Sequence, residues 1–130
     1  MPIQGLIIAY RKPGLSPAEF QTHYENNHVP ILQRLAGDDF FLSHQRFYLS
    51  RGDGVPTPAT IVLGGDQDFD YDALTIVTFK DKEHMDRFNA KTGSPEARQE
   101  IEADEERFVD RSKLKIVLFG DVKETVNEKV

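Results

Sequence analysis

The chain has 130 residues, no cysteine and a net charge of −6, and 38% of its residues are hydrophobic. The length suits one domain with a core of ordinary size, and the acidic balance argues against nucleic acid or an anionic membrane surface as a partner. Without cysteine there are no disulfides and no thiolate chemistry, and no run approaches the ~18 apolar residues of a membrane span.

The N-terminal MPIQGLIIAY lacks a basic n-region and has only a short apolar run. It therefore does not read as a signal peptide, and a soluble cytoplasmic protein is the expectation. Residues 3 to 10 read as a strand apolar on both sides, with Ile3, Ile7 and Ala9 on one and Leu6 and Ile8 on the other. Gly5 within it marks either close approach of another backbone or a weak point. A turn at Pro13-Gly14 precedes a helix start carrying four agreeing signals: Ser16 as N-cap, Pro17 at the first position, Glu19 completing a capping box, and Leu15 with Phe20 as a hydrophobic staple. Val29 stands before Pro30, which disfavours α geometry there, so a kink or break is expected, with a second helical piece ending at Gly37.

Residues 41 to 49 read as the second strand. Phe41, Ser43, Gln45, Phe47 and Leu49 share one face, and Leu42, His44, Arg46 and Tyr48 the other; periodicity does not decide which meets the helices. Residues 50 to 70 are irregular, punctuated by Gly52, Gly54, Pro56, Pro58 and Gly64-Gly65, with Thr60 to Leu63 as a possible strand arm. A connection of this length is a lid, a dimer contact or a mobile surface loop. Residues 71 to 79 form the third strand. Asp81 caps a helix that turns Met85 and Phe88 inward, with His84 at its surface, and Ser94-Pro95 starts another. The inward stripe of that last helix is Ala97, Ile101, Asp104 and Phe108. Residues 113 to 119 form the final strand, and a charged tail from 121 to 130 follows the domain of residues 1–120. The order is that of a ferredoxin-like βαββαβ α+β fold with an extra helix and a four-stranded antiparallel sheet. Three helices cover one face of such a sheet. The first and last strands are apolar on both faces, so a second copy of the chain is expected on the other face, as a homodimer.

Chemistry concentrates on the helical stripes. His28 sits on the apolar stripe Phe20, Tyr24, His28, Ile31, Leu32, Leu35, where an imidazole can exchange a proton near neutral pH or serve as a satisfied core histidine. Asp104 is a carboxylate within an apolar stripe, placed either to orient His28 or at the waterline of a rotated helix. Tyr24 can hold a phenol or enolate oxygen, or fill the core. On the second strand Arg46 can grip a carboxylate with two prongs or stand as a solvated charge; His44, Tyr48 and Tyr10 are weaker pocket candidates. His23 and His28 are five residues apart, about 140° on an α-helix, so they do not share a face and no metal site is expected. No nucleotide fingerprint and no nucleophile motif occurs.

The segment RKPGLSPAEFQTHYENNHVPIL, together with FDYDALTIVTF and ADEERFVDRSKLKIV downstream, resembles the EthD-type dimeric α+β barrel proteins, a fungal branch in particular. The resemblance implies a homodimeric barrel with the helix-end histidine, here His28, at its pocket. It also implies a cofactor-independent lyase acting on a small aromatic or polyketide-derived acid. Arg46 would hold the carboxylate, His28 oriented by Asp104 would supply the proton, and Tyr24 would steady a phenolate. A cofactor-free oxygenase, and a non-catalytic small-molecule-binding or stress-related dimer, are the alternatives.

Overall fold

A computed structural model describes residues 1–52 and 58–130 of the protein, so Gly54 and Pro56 lie outside the described residues. The elements are β1 (Ile3–Ala9), α1 (Pro17–His23), α2 (Val29–Ala36), β2 (Ser43–Tyr48), β3 (Ala73–Phe79), α3 (Lys82–Thr92), α4 (Pro95–Phe108) and β4 (Lys115–Leu118). The four strands form one antiparallel sheet in the order β2-β3-β1-β4. Each crossover carries helices onto the same face, which gives the ferredoxin-like α+β arrangement expected from the element order.

Local chemistry accounts for the elements. Ser16 Oγ accepts from the Glu19 amide at 3.1 Å, and the Glu19 carboxylate accepts from the Ser16 amide at 2.9 Å, closing the capping box. Gly37 ends α2 with φ of 55°, a conformation that a side chain would strain. At Gly5 a Cβ would meet the Leu118 side chain and the Val117 carbonyl at 3.4 Å, an ordinary van der Waals contact, so β4 packs closely against β1 there without requiring glycine.

Of the expected kink or break at Val29 the break does not occur; the irregularity lies in the turn just before it, and the second helical piece ends at Gly37 as expected. Val29 keeps right-handed helical angles (φ −58°, ψ −48°) and is buried in the core. Between α1 and α2 the chain makes one wide turn, Tyr24–His28, in which the Val29 amide reaches back five residues to the Tyr24 carbonyl. Such a π-turn inserts one extra residue without ending the helix. Pro30, which has no amide hydrogen to give, is accommodated immediately after it.

The helix-covered face of the sheet reads Arg46, Thr75, Ile7, Ile116 across one row and His44, Val77, Gly5, Leu118 across the next. This settles the face of β2: His44, Arg46 and Tyr48 point to the helices, and Gln45 and Phe47 point away. The residues at the middle of that face are small, Ala9, Ala73 and Thr75, which leaves depth for aromatic rings above them. Phe20, Tyr24, Val29, Phe108 and Val109 fill one end, and Ala36, Val77, Phe79 and Phe88 the other. Burying a ring such as Phe20 or Phe108 contributes roughly 1.5–3 kcal/mol.

His84, expected at the surface, is buried. Its Nδ1 accepts from the Lys80 amide at 2.9 Å, and Nε2 donates to the carbonyls of Asp39 and Phe40 at 3.0 and 2.9 Å. Those backbone groups have no ladder or helix partner of their own, which is why the ring is drawn inward. Thr60 to Leu63 form no strand. Arg51 and Ala59 make an isolated bridge, and the Thr60 amide bonds the Ser50 carbonyl. Residues 121–130 are exposed, with no helix or strand. No described helix is long and apolar enough to cross a membrane.

Candidate active site

The π-turn decides the geometry of the site. On a regular α-helix His23 and His28 would diverge; the extra residue brings both imidazoles to one side, over α4. Asp104, 1% exposed, takes both: His28 Nδ1 stands 2.9 Å from Oδ2, and His23 Nε2 stands 2.9 Å from Oδ1. Both ring nitrogens act as N–H donors toward the carboxylate. The waterline alternative for Asp104 is thereby excluded, and the reading that kept His23 apart from His28 is corrected. Phe108 backs both rings, with centroids 4.7 Å from His23 and 5.0 Å from His28. His23 Nδ1 meets the Asn27 side-chain amide at 3.4 Å, at the outer end of the chain of contacts.

With Nδ1 committed, His28 has Nε2 left. Among the described residues no buried side-chain nitrogen or oxygen lacks a hydrogen-bond partner, and Nε2 has no partner, so it is not sealed in. It opens on a cavity of about 140 Å³ between the helices and the sheet, which His28 lines. Tyr24, His44 and Thr92 add polar groups to the wall beside His28, and Ile7, Ala9, Leu32, Phe41, Phe88, Ile101 and Phe108 give it apolar surface.

His44 is placed as an uncharged donor. Its Nδ1 accepts from Arg46 Nη1 at 3.1 Å, which leaves the proton on Nε2. Burial, then the charges of Arg46 and His28, push its pKa down to about 4. The Tyr24 hydroxyl lies 3.0 Å from Thr75 Oγ1, and burial raises its pKa, so it remains a phenol.

The other predicted residues fall elsewhere. Arg46 is neither an open fork for substrate nor a solvated charge: its Nε and Nη2 close on the Glu25 carboxylate at 2.6 and 3.0 Å, and it does not line the cavity. Arg46 holds the Glu25 carboxyl below its usual range and anchors His44. Tyr48 gives its hydroxyl to the same Glu25 and lies outside the cavity wall. Tyr10 continues the opposite face of β1, beneath the Lys113 and Lys115 ammonium groups. Arg46 and His44 share one face of β2, as strand alternation implies; the partner that occupies Arg46, Glu25, sits on the π-turn, whose phase a 3.6-residue period misassigns. Two wall residues also escaped sequence reasoning. Arg98 and Glu105, on α4, also line the cavity.

The sequence matches the EthD domain over residues 12–112. The chain belongs to the EthD domain family. Solved structures agree on the fold. A Bacillus halodurans EthD family protein superposes with a TM-score of 0.55 at 14% identity, over 92% of this chain and 99% of the other. SnoaB, a cofactor-independent oxygenase from Streptomyces nogalater, gives 0.54 at 15% identity over 98% of both chains. A dimeric ferredoxin-like protein of unknown function from Thermobifida fusca gives 0.51 at 11% identity over 92% and 90%. No curated protein matches the sequence. At these identities the likeness is one of fold. The EthD domain here carries its own set of polar groups: a carboxylate shared by two imidazoles, and a neutral imidazole across the cavity.

Proposed function

We propose that this EthD domain protein is a cofactor-independent lyase, of decarboxylase, cyclase or dehydratase type, acting on a small aromatic or polyketide-derived acid. The observation that carries the reading is His28: Nδ1 fixed on a buried carboxylate and Nε2 open to an apolar cavity. A carboxylate behind an imidazole sets its tautomer and holds its orientation, as a group that hands over a proton requires. For a hydroxylated aromatic acid, Nε2–H gives its proton to the ring carbon bearing the carboxylate. The C–C bond then breaks, its electron pair restores the aromatic ring, and CO2 departs; His28 recovers a proton from solvent. His44 Nε2–H and the Tyr24 hydroxyl face the charge that builds on a ring oxygen, in surroundings where a hydrogen bond counts for more than in water. A homodimer formed through the open sheet face completes the proposal. SnoaB carries out cofactor-free oxygenation on the same fold, which supports chemistry without a cofactor and keeps oxygenation as the second reading.

The test is a panel of hydroxylated aromatic acids followed for CO2 release and for O2 uptake. His28→Gln and Asp104→Asn are each expected to abolish turnover while the protein stays folded. The double variant should lose no more than either single, because both disable one unit. Full activity in folded His28→Gln protein would remove His28 from the mechanism. O2 uptake without CO2 release would move the reading to the oxygenase. Thermal stabilisation by the acids without turnover of either kind would make the protein a binder.

A further inference from the structure

We propose that the cavity accepts a single aromatic ring bearing a carboxylate, and that Arg98 at its rim is the residue that selects the acid. This rests on the reading of His28 given above and names the substrate class of that site. Size comes first. A protein cavity of about 150 Å³ accepts one benzene molecule, and the present one measures about 140 Å³. One ring with small substituents fills it.

Charge comes second. The cavity changes character from its inner wall to its rim. Leu32, Phe88, Ile101 and Phe108 offer apolar faces for a ring, and His28 and His44 supply the polar atoms within. Two charged residues of α4 also line the cavity: Arg98, whose side chain is 43% exposed and so reaches it from its solvent side, and Glu105, which is largely buried. Glu105 is already answered by Arg111, whose Nε lies 3.3 Å from its carboxylate. Arg98 is not fully engaged. Only Nη2 is used, at 3.0 Å from Glu102, and that glutamate is shared with Arg111 at 3.3 Å. Nε and Nη1 of Arg98 have no partner among the described residues. A guanidinium with two unspent N–H groups beside an apolar slot is a receptor for a planar carboxylate, gripped by charge-assisted hydrogen bonds. The two charged cavity-facing side chains therefore differ: the anion is compensated and the cation retains capacity. An acid held at Arg98 also lies at the opening, so CO2 released from it leaves directly to solvent.

Binding is measured by calorimetry in a His28→Gln background, where no turnover is needed, with a monohydroxybenzoic acid, its methyl ester and a hydroxyanthraquinone carboxylic acid. The single-ring acid is expected to bind saturably, and the ester about tenfold or more weakly, as the loss of a charge-assisted contact implies. Adding Arg98→Gln should weaken the acid by a similar factor and leave the ester unchanged, and Arg98→Lys should restore most of the acid's affinity. Equal binding of acid and ester, an Arg98→Gln variant that binds the acid normally, tighter binding of the three-ring acid, or no binding of the single-ring acid at millimolar concentration would each overturn the proposal. If the acid binds as expected and wild-type protein still releases no CO2 from it, the lyase reading fails and the Arg98 assignment stands.

Discussion

At Asp104 one carboxylate serves two imidazoles, and this fixes what each does. A buried carboxylate with a single donor can turn about its Cβ–Cγ bond; two N–H groups on opposite oxygens, at 2.9 Å each, prevent that. His23 thus positions the group that orients His28, without facing the cavity itself. His23→Phe, which keeps the stacking on Phe108 and removes the N–H, should lower kcat several-fold with little change in KM, and cost about 1–3 kcal/mol of stability, because a buried carboxylate oxygen loses its donor. Steady-state kinetics and urea denaturation measure the two effects; an unchanged kcat would reduce His23 to a structural contact. His44 carries a prediction in pH. The unfolded chain protonates this histidine near 6.5, whereas the folded one resists until about 4. Between those values the unfolded state binds more protons, so stability is fully present above pH 6.5 and is lost as pH falls toward 4. The groups facing His44 are Arg46 beside it on β2, His28 and Tyr24 across the cavity, and Glu25, whose depressed pKa acts in the same direction at lower pH. Melting temperature should therefore drop between pH 6.5 and 4, and His44→Gln should flatten the upper part of that drop; an identical profile in the variant would contradict the assignment.

Where the chain was regular its elements were legible. The caps at Ser16, Asp81 and Ser94, the stripe Ala97, Ile101, Asp104, Phe108, and the strand alternation all stand as the sequence implies, because each rests on local chemistry or on a fixed period. The site was half legible for the same reason. His28, Asp104 and Tyr24 could be found by period, but the role of His23 and the pairing of Arg46 with Glu25 could not. Both depend on the π-turn, and one inserted residue rotates everything before it relative to everything after. Nothing in YENNHVP announces that turn except Pro30, which suggests a break as readily as a bulge. His84 escaped for another cause: the carbonyls of Asp39 and Phe40 that bury it lie more than 40 residues earlier in the chain. This histidine ties the start of α3 to the loop after α2 and takes no part in the cavity. His84→Ala should therefore destabilise the protein by about 1–3 kcal/mol, the cost of leaving buried backbone groups unpaired. Ligand affinity measured well below the melting temperature should be unchanged, and a loss of affinity in folded His84→Ala protein would mean the two ends of the core are coupled.

The sheet has one open face and one face covered by the helices except at β4, whose Ile116 and Leu118 remain 67% and 55% exposed on the helix side. On the open side Leu6 and Ile8 of β1, Leu74 and Ile76 of β3, Phe47 of β2 and Val117 of β4 form a continuous apolar surface by the strand register. Phe47 is 49% exposed and Val117 55%, near opposite edges of the sheet. An apolar surface of that extent is unfavourable in water, and all the described helices lie on the other side. A second copy of the same sheet matches it in shape and apolarity, and a two-fold axis makes each patch its own complement. Lys115 is the charged residue in these strand rows, opposite Ile8 on the edge strand β4, where its ammonium lies over the Tyr10 ring and can stay at the margin of an interface. The expected species at micromolar concentration is a homodimer with the two sheets face to face. Ile76→Asp, at the centre of the face, would place a carboxylate in that dry interface without a partner. It should shift the sedimentation profile to monomer, while Gln45→Asp, on the same face and already exposed at the edge strand, should shift it less. Because the cavity lies on the opposite side of each sheet, the monomeric Ile76→Asp protein should still bind a cavity ligand if it stays folded. A wild-type protein that sediments as a compact monomer would show that the open face is stable in water by itself, and would leave its apolar residues without an explanation in self-association.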